Sequence, residues 1–223
     1  MIVLENPPLE GTTVFGNANG TAGNSLLTLS IPRGVTISSD DSMVISDQTY
    51  DRVLRVANNT ISGVIVANST SGAYTRRAIL DSSLLNLYFM QTNLCAIRKS
   101  YNGSFNSTII FGGECFADSG INGGNGANFC MDSADNFYIS DYWRHQVIYW
   151  LVHNATAIVI AGIPNVSGSD SQHLNNPLDV AVNDTQGVIY VVDSNNHRIM
   201  RYIIGSSNGT VVAGGNGLGN ARK

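Results

Sequence analysis

Charge is scarce in this chain: Asp, Glu, Lys and Arg make up only 13% of its 223 residues, and the balance is −4. A nucleic-acid surface needs clustered Lys and Arg, so this composition argues against such a partner, short of one basic face hidden in the average. Long apolar runs are missing too. Nothing approaches the roughly 18 to 20 residues that cross a bilayer as a helix, so no membrane span is expected. The start does not read as a signal peptide, because Ile2-Val3-Leu4 runs into Glu5 and two prolines. In a truncated chain that absence would say nothing about secretion. No segment holds a 3.6-residue apolar period, which removes the stripe a helix needs for burial.

Metal-binding and nucleotide-binding patterns are equally thin. His145, His153, His173 and His197 form neither His-x-His nor His-Glu-x-x-His. Cys95, Cys115 and Cys130 are odd in number and lack metal-ligand spacing. The stretches Gly123-Gly124-Asn125-Gly126 and Gly214-Gly215-Asn216-Gly217-Leu218-Gly219 have no Lys-Ser/Thr and no following helix, so they read as turns rather than phosphate loops. No cofactor is expected.

What the chain does have is a repeat. Ile189-Tyr190-Val191-Val192-Asp193, Arg198-Ile199-Met200-Arg201 and Thr210-Val211-Val212-Ala213-Gly214 recur 52 residues upstream as Phe137-Tyr138-Ile139-Ser140-Asp141, Val147-Ile148-Tyr149 and Ile158-Val159-Ile160-Ala161-Gly162. Offsets of 102 and 146 give two more copies, around Leu87 to Gln91 and Met43 to Asp47. A period of 44 to 52 residues built from short β-branched and aromatic runs predicts an all-β β-propeller. Each unit has four runs, so each is a four-stranded antiparallel blade, with inner strands at Val35 to Ile37, Ala78 to Leu80, Phe129 to Met131 and Asp179 to Val182. The expected division is a partial blade over 1–16, blades over 17–67, 68–112, 113–162 and 163–215, and a tail over 216–223, all in one domain. Gly11 to Gly16 aligns with the last outer strand and Met1 to Leu4 with the start of a third strand, so the chain reads as starting inside a blade. A fragment of a larger ring is favoured over a closed four-bladed ring with an accessory hairpin, or an unusual five-fold closure.

The pattern Leu174-x-x-Pro177-x-Asp179-Val180-Ala181-Val182, then Ile189-Tyr190-Val191-Val192-Asp193-x-x-x-His197-Arg198-Ile199, resembles the NHL repeat. Leu29-x-x-Pro32-Arg33-Gly34-Val35 with Asp47 and Arg52 resembles it again, while blade two has Gln91 and Ala96, and blade three Gln146, at the Asp or Arg positions. The resemblance implies a six-bladed propeller. It also implies a binding platform in most members, and a lyase or hydrolase with metal in the central channel in a minority. A third implied class is the substrate-recruiting adaptor of a ubiquitin-ligase-type or RNA-binding NHL protein.

Asp47, Asp141 and Asp193, with Arg52 and Arg198, recur once per blade. Residues repeated around a ring do not make one asymmetric catalytic site, so they read as structural, and no catalytic residue is assigned. Polar residues just before the inner strands differ from blade to blade: Arg33, Arg77, Asn128 and Asp179. They are the candidate ligand or partner site at the channel mouth, against the simpler reading of a solvated rim. Tyr142 and Trp143, in a turn of the aromatic third blade, are candidate contacts. The expected function is therefore non-enzymatic binding of a protein or small ligand.

Nine Asn-x-Ser/Thr triplets occur where roughly four are expected from 25 Asn and 37 Ser plus Thr. Asn58, Asn102, Asn106, Asn154 and Asn208 fall in loops between third and outer strands. They are candidate glycosylation acceptors, which would favour an extracellular site, or else hairpin residues copied with the repeat. Cys95, in the loop between second and third strands, and Cys115, in the link into the next blade, share one face of a propeller and make a candidate disulfide in an oxidising compartment, while Cys130 fills an inner strand.

Overall fold

Alternating β-branched and aromatic runs, broken by Asn, Gly and Ser turns, build sixteen strands in a computed structural model that describes residues 11–68, 72–94, 96–112, 128–153 and 155–217. Blade one holds β1 (Pro32–Ile37), β2 (Met43–Asp47), β3 (Arg52–Val56) and β4 (Val64–Asn68). Blade two holds β5 (Thr75–Leu80), β6 (Asn86–Gln91), β7 (Ala96–Tyr101) and β8 (Ser107–Gly112). Blade three holds β9 (Asn128–Met131), β10 (Phe137–Asp141), β11 (Gln146–Leu151) and β12 (Thr156–Gly162). Blade four holds β13 (Pro177–Asn183), β14 (Val188–Asp193), β15 (Arg198–Ile203) and β16 (Gly209–Gly214). Each blade is a four-stranded antiparallel sheet in chain order, the all-β propeller that the repeat predicts. Between third and outer strands the register shifts at the same place in every blade, after Val53, Ile97, Val147 and Ile199. A bulge repeated in this way twists each outer strand alike.

Blades stack face to face through apolar clusters. Val44, Val53 and Ala67 meet Ala78, Leu87 and Phe89 between blades one and two. Tyr88, Met90 and Ile97 meet Phe129, Phe137, Ile139, Ile148 and Trp150 between blades two and three. Tyr138, Val147 and Ala161 meet Val180, Ile189, Val191, Met200 and Tyr202 between blades three and four. Second strands are covered on both faces, which is why β10 is buried at all five positions and reads as a continuous apolar run.

The chain leading into blade one departs from expectation. Among the described residues, 11–31 carry no strand, and Gly11 to Gly16 do not form an outer strand. A strand needs a neighbouring ladder, and 11–31 instead follow the plan of the link before blade four. The Gly23 amide donates to the Leu29 carbonyl and the Gly63 amide to the Leu26 carbonyl, as Gly168 does to Leu174 and Gly209 to Ser171. The expected strand over Met1 to Leu4, Cys95, Cys115 and their disulfide, Asn154 and the Gly123 to Gly126 stretch lie outside the described residues. Among the described residues no helix is long and apolar enough to cross a membrane, which leaves β-barrels unaddressed.

Candidate functional site

The recurrent acids and arginines hold the links between blades. Asp193 accepts from the Asn175 amide at 2.7 Å and from Arg198 Nε at 2.7 Å. Arg198 in turn donates to the carbonyls of Ser169, Asp170 and His173. Blade one repeats this bond for bond: Asp47 accepts from the Ser30 amide and Arg52 Nε, and Arg52 donates to the carbonyls of Asn24, Ser25 and Thr28. Burial raises the Asp47 carboxyl above its usual range, against the Ser30 amide and Arg52. In blade three Gln146 takes the arginine's place, donating to Asp141 at 3.1 Å. With no cation at that position, burial raises Asp141 to about 6, opposed by the bonds from Gln146 and the Arg144 amide.

The histidines stay apart. His145 and His197 share one turn position with positive φ (56° and 52°), held in blade one by Asp51 (46°). His145 Nδ1 accepts from the Asn176 amide at 3.1 Å, and Asp51 accepts from the Gly72 and Tyr74 amides, so both clamp the next blade's link. Burial lowers the His145 pKa. His173 Nδ1 lies 2.7 Å from Asp170. Among the described residues no cluster of three or more His, Cys, Asp or Glu could hold a metal ion.

At the channel mouth the register is instructive. Val35, Ala78, Phe129 and Val180 are equivalent, pairing with Ile45, Phe89, Ile139 and Val191. The preceding position therefore reads Gly34, Arg77, Asn128, Asp179 around the arc, and Arg33 is equivalent to Arg76 rather than Arg77. The inner strands β1, β5 and β13 share an irregularity here, between Pro32 and Gly34, Thr75 and Ala78, and Pro177 and Asp179. Arg77 Nη1 reaches past blade three's inner strand to Asp179 Oδ1 at 2.9 Å and donates to the Phe129 carbonyl at 3.0 Å. Asn128 exchanges hydrogen bonds between its backbone and Ser140 Oγ. Its Oδ1 is buried and has no partner among the described residues. Blade one cannot place a side chain here, since a Cβ on Gly34 would collide with the Arg76 carbonyl oxygen.

Beside the Arg77–Asp179 pair lies a cavity of about 380 Å³, walled by Ile79, Cys130, Met131, Val180 and Val182 and by Tyr190 from β14. Burial pushes the Cys130 thiol up to about 12, so it stays protonated and unreactive. Tyr142 and Trp143 stack edge to face at 5.2 Å on the same end of the molecule, Trp143 51% exposed. Asn58, Asn102, Asn106 and Asn208 are exposed on the outer loops, and Asn208 Oδ1 bonds Ser171 Oγ.

No curated protein sequence matches the chain. Solved structures with a similar fold include a chain of a nidogen/laminin complex (TM-score 0.67, 13% identity, covering 85% of this chain and 67% of that one). Another is an auxiliary nutrient binding protein from Bacteroides thetaiotaomicron (0.64, 15%, covering 85% and 49%). A third is a gluconolactonase from Xanthomonas campestris (0.62, 14%, covering 81% and 61%). The chain thus spans from about half to two thirds of their length, and the likeness is one of fold. Residues 174–202 match the NHL repeat. That unit is blade four from its entering link to β15, and blade one repeats its Asp–Arg clamp bond for bond, so the chain is a β-propeller that carries an NHL repeat.

Proposed function

We propose that the chain is a non-enzymatic binding platform, with a small ligand or protein partner docking at the end where the inner strands begin. The observation that carries this reading is the Arg77–Asp179 pair. At this position two blades of a repeating scaffold carry opposite charges, and the pair stands over an apolar cavity. Ligand pockets have this composition: apolar walls with a few polar groups that orient the guest. Trp143, on the same end, offers a large amphipathic contact to a partner. That the fold also serves a nutrient binding protein is consistent with this use.

The likeness to a gluconolactonase is the observation behind the competing, enzymatic reading. Thermal-shift screening of the chain against monosaccharides, sugar acids and amino acids, beside a lactone-hydrolysis assay with added divalent metals, separates the two. A ligand should raise the melting midpoint of the wild type and lose that effect in Asp179→Ala and Arg77→Ala. Metal-stimulated lactone turnover, or ligand shifts unaltered in both variants, would overturn the platform reading.

A further inference from the structure

Arg33 and Arg76 occupy equivalent positions on neighbouring inner strands, where blades one and two come so close that residue 34 has no room for a Cβ beside the Arg76 carbonyl. Arg76 is half-buried, and among the described residues it has no hydrogen-bond or ion-pair partner. Arg33 is exposed and donates from Nε to Gln48 Oε1, a neutral acceptor that leaves its charge uncompensated. Carboxylates on the flanking strands and turns are already committed: Asp47 to Arg52, Asp51 to the Gly72 and Tyr74 amides, Asp179 to Arg77. Burial first, and the nearby Arg33 second, lower the Arg76 pKa. A partly desolvated cation beside a like charge is costly, and the fold draws no bond from it in return.

We infer that Arg33 and Arg76 form an oxyanion site at the channel mouth, taking the carboxylate or phosphate of a small-molecule ligand. Two planar guanidinium groups suit such an anion, each able to donate a parallel pair of N–H bonds. Gln48 steadies Arg33. This site rests on the reading of this end as the binding face and adds the charge of the guest.

Calorimetric titration of the full chain with inorganic phosphate, and separately with acetate, at an ionic strength fixed by sodium chloride, tests it. At least one anion should bind saturably. Arg33→Gln and Arg76→Gln should each weaken it about tenfold or more, as loss of a charge-assisted bond implies. Lys99→Gln, whose ammonium lies over Tyr88 in blade two, should bind like the wild type. Phosphate alone binding assigns a phosphorylated guest, acetate alone a carboxylate. No saturable binding of either anion overturns the site, as does binding that survives both arginine variants. A ligand from the thermal-shift screen that binds Arg33→Gln and Arg76→Gln normally, yet is lost in Asp179→Ala, removes this site and leaves the platform reading standing.

Discussion

Asp141 and Asp193 hold one position of the repeat, yet their environments set opposite consequences for mutation. Asp193 and Arg198 are a buried pair whose guanidinium also gathers three link carbonyls, so Arg198→Ala strands a buried carboxylate and frees the link. The expected loss is about 3–5 kcal/mol in denaturant unfolding. Asp141 has Gln146 for a partner, and its rise from 3.8 to about 6 means that the fold favours the protonated acid. Between those two values the folded state holds a proton that the unfolded chain has released. Stability therefore falls as pH rises from about 4 to 6 and levels off above, by about 3 kcal/mol. Asp141→Asn should remove that fall and leave the protein more stable than wild type at pH 7. Comparing the two proteins at each pH cancels the opposite trend from His145, whose lowered pKa weakens the fold on acidification below its usual 6.5. A variant less stable than wild type at pH 7 would show that the Arg144 amide needs a charged acceptor.

At the scale of the strand, blades two, three and four each close on a glycine, Gly112, Gly162 and Gly214, where the outer strand passes the start of the third strand, while blade one has Asn68 there. Gly162 and Gly214 have φ of +80° and +72°, and a Cβ on either would collide with the carbonyl of His145 or His197. Gly187 shares the positive φ (+61°) with nothing near it. Gly187→Ala should cost about 1–2 kcal/mol from backbone strain alone, and Gly214→Ala clearly more, both read from urea midpoints. Equal losses would mean that the outer strand shifts without cost. Gly162 and Gly214, the blade period, the apolar inner strands and the Asp–Arg positions were legible in the sequence because each recurs, and recurrence exposes what the backbone requires. Arg76 was not, because adjacent arginines look alike in a string and the burial of one of them beside Arg33 arises only when blades one and two pack. The Arg77–Asp179 contact was hidden for another reason: it joins blades two and four across 102 residues, which no repeat pattern encodes. Gly11 to Gly16 carry no strand although their spacing matches an outer strand, because the ladder it would pair with is missing among the described residues.

Over the whole molecule, stability is close to a sum of blades and blade interfaces, each blade touching its neighbours. Every internal interface sets the same two faces together. Blade two offers Tyr88, Met90 and Ile97, backed by Ile79 and Phe111, to the Phe129, Phe137, Ile139, Ile148 and Trp150 face of blade three. At the same repeat positions blade four carries Tyr190, Val192 and Ile199, flanked by Ala181 and Ala213, and these line open cavities rather than a closed interface. Blade one presents the opposite face, where Val35 and Ile37 are 57% and 64% exposed. Among the described residues one molecule thus displays both halves of an interface that it forms three times within itself, and a second copy is a complementary partner by head-to-tail stacking. Sedimentation velocity should show association that grows with concentration. Ile199→Lys places a charge on that face outside all three core clusters, so it should return the chain to a monomer without lowering its melting midpoint. A monomer at every concentration, unchanged by Ile199→Lys, would show that blade four's outward face tolerates water and that stacking stops where the blades do.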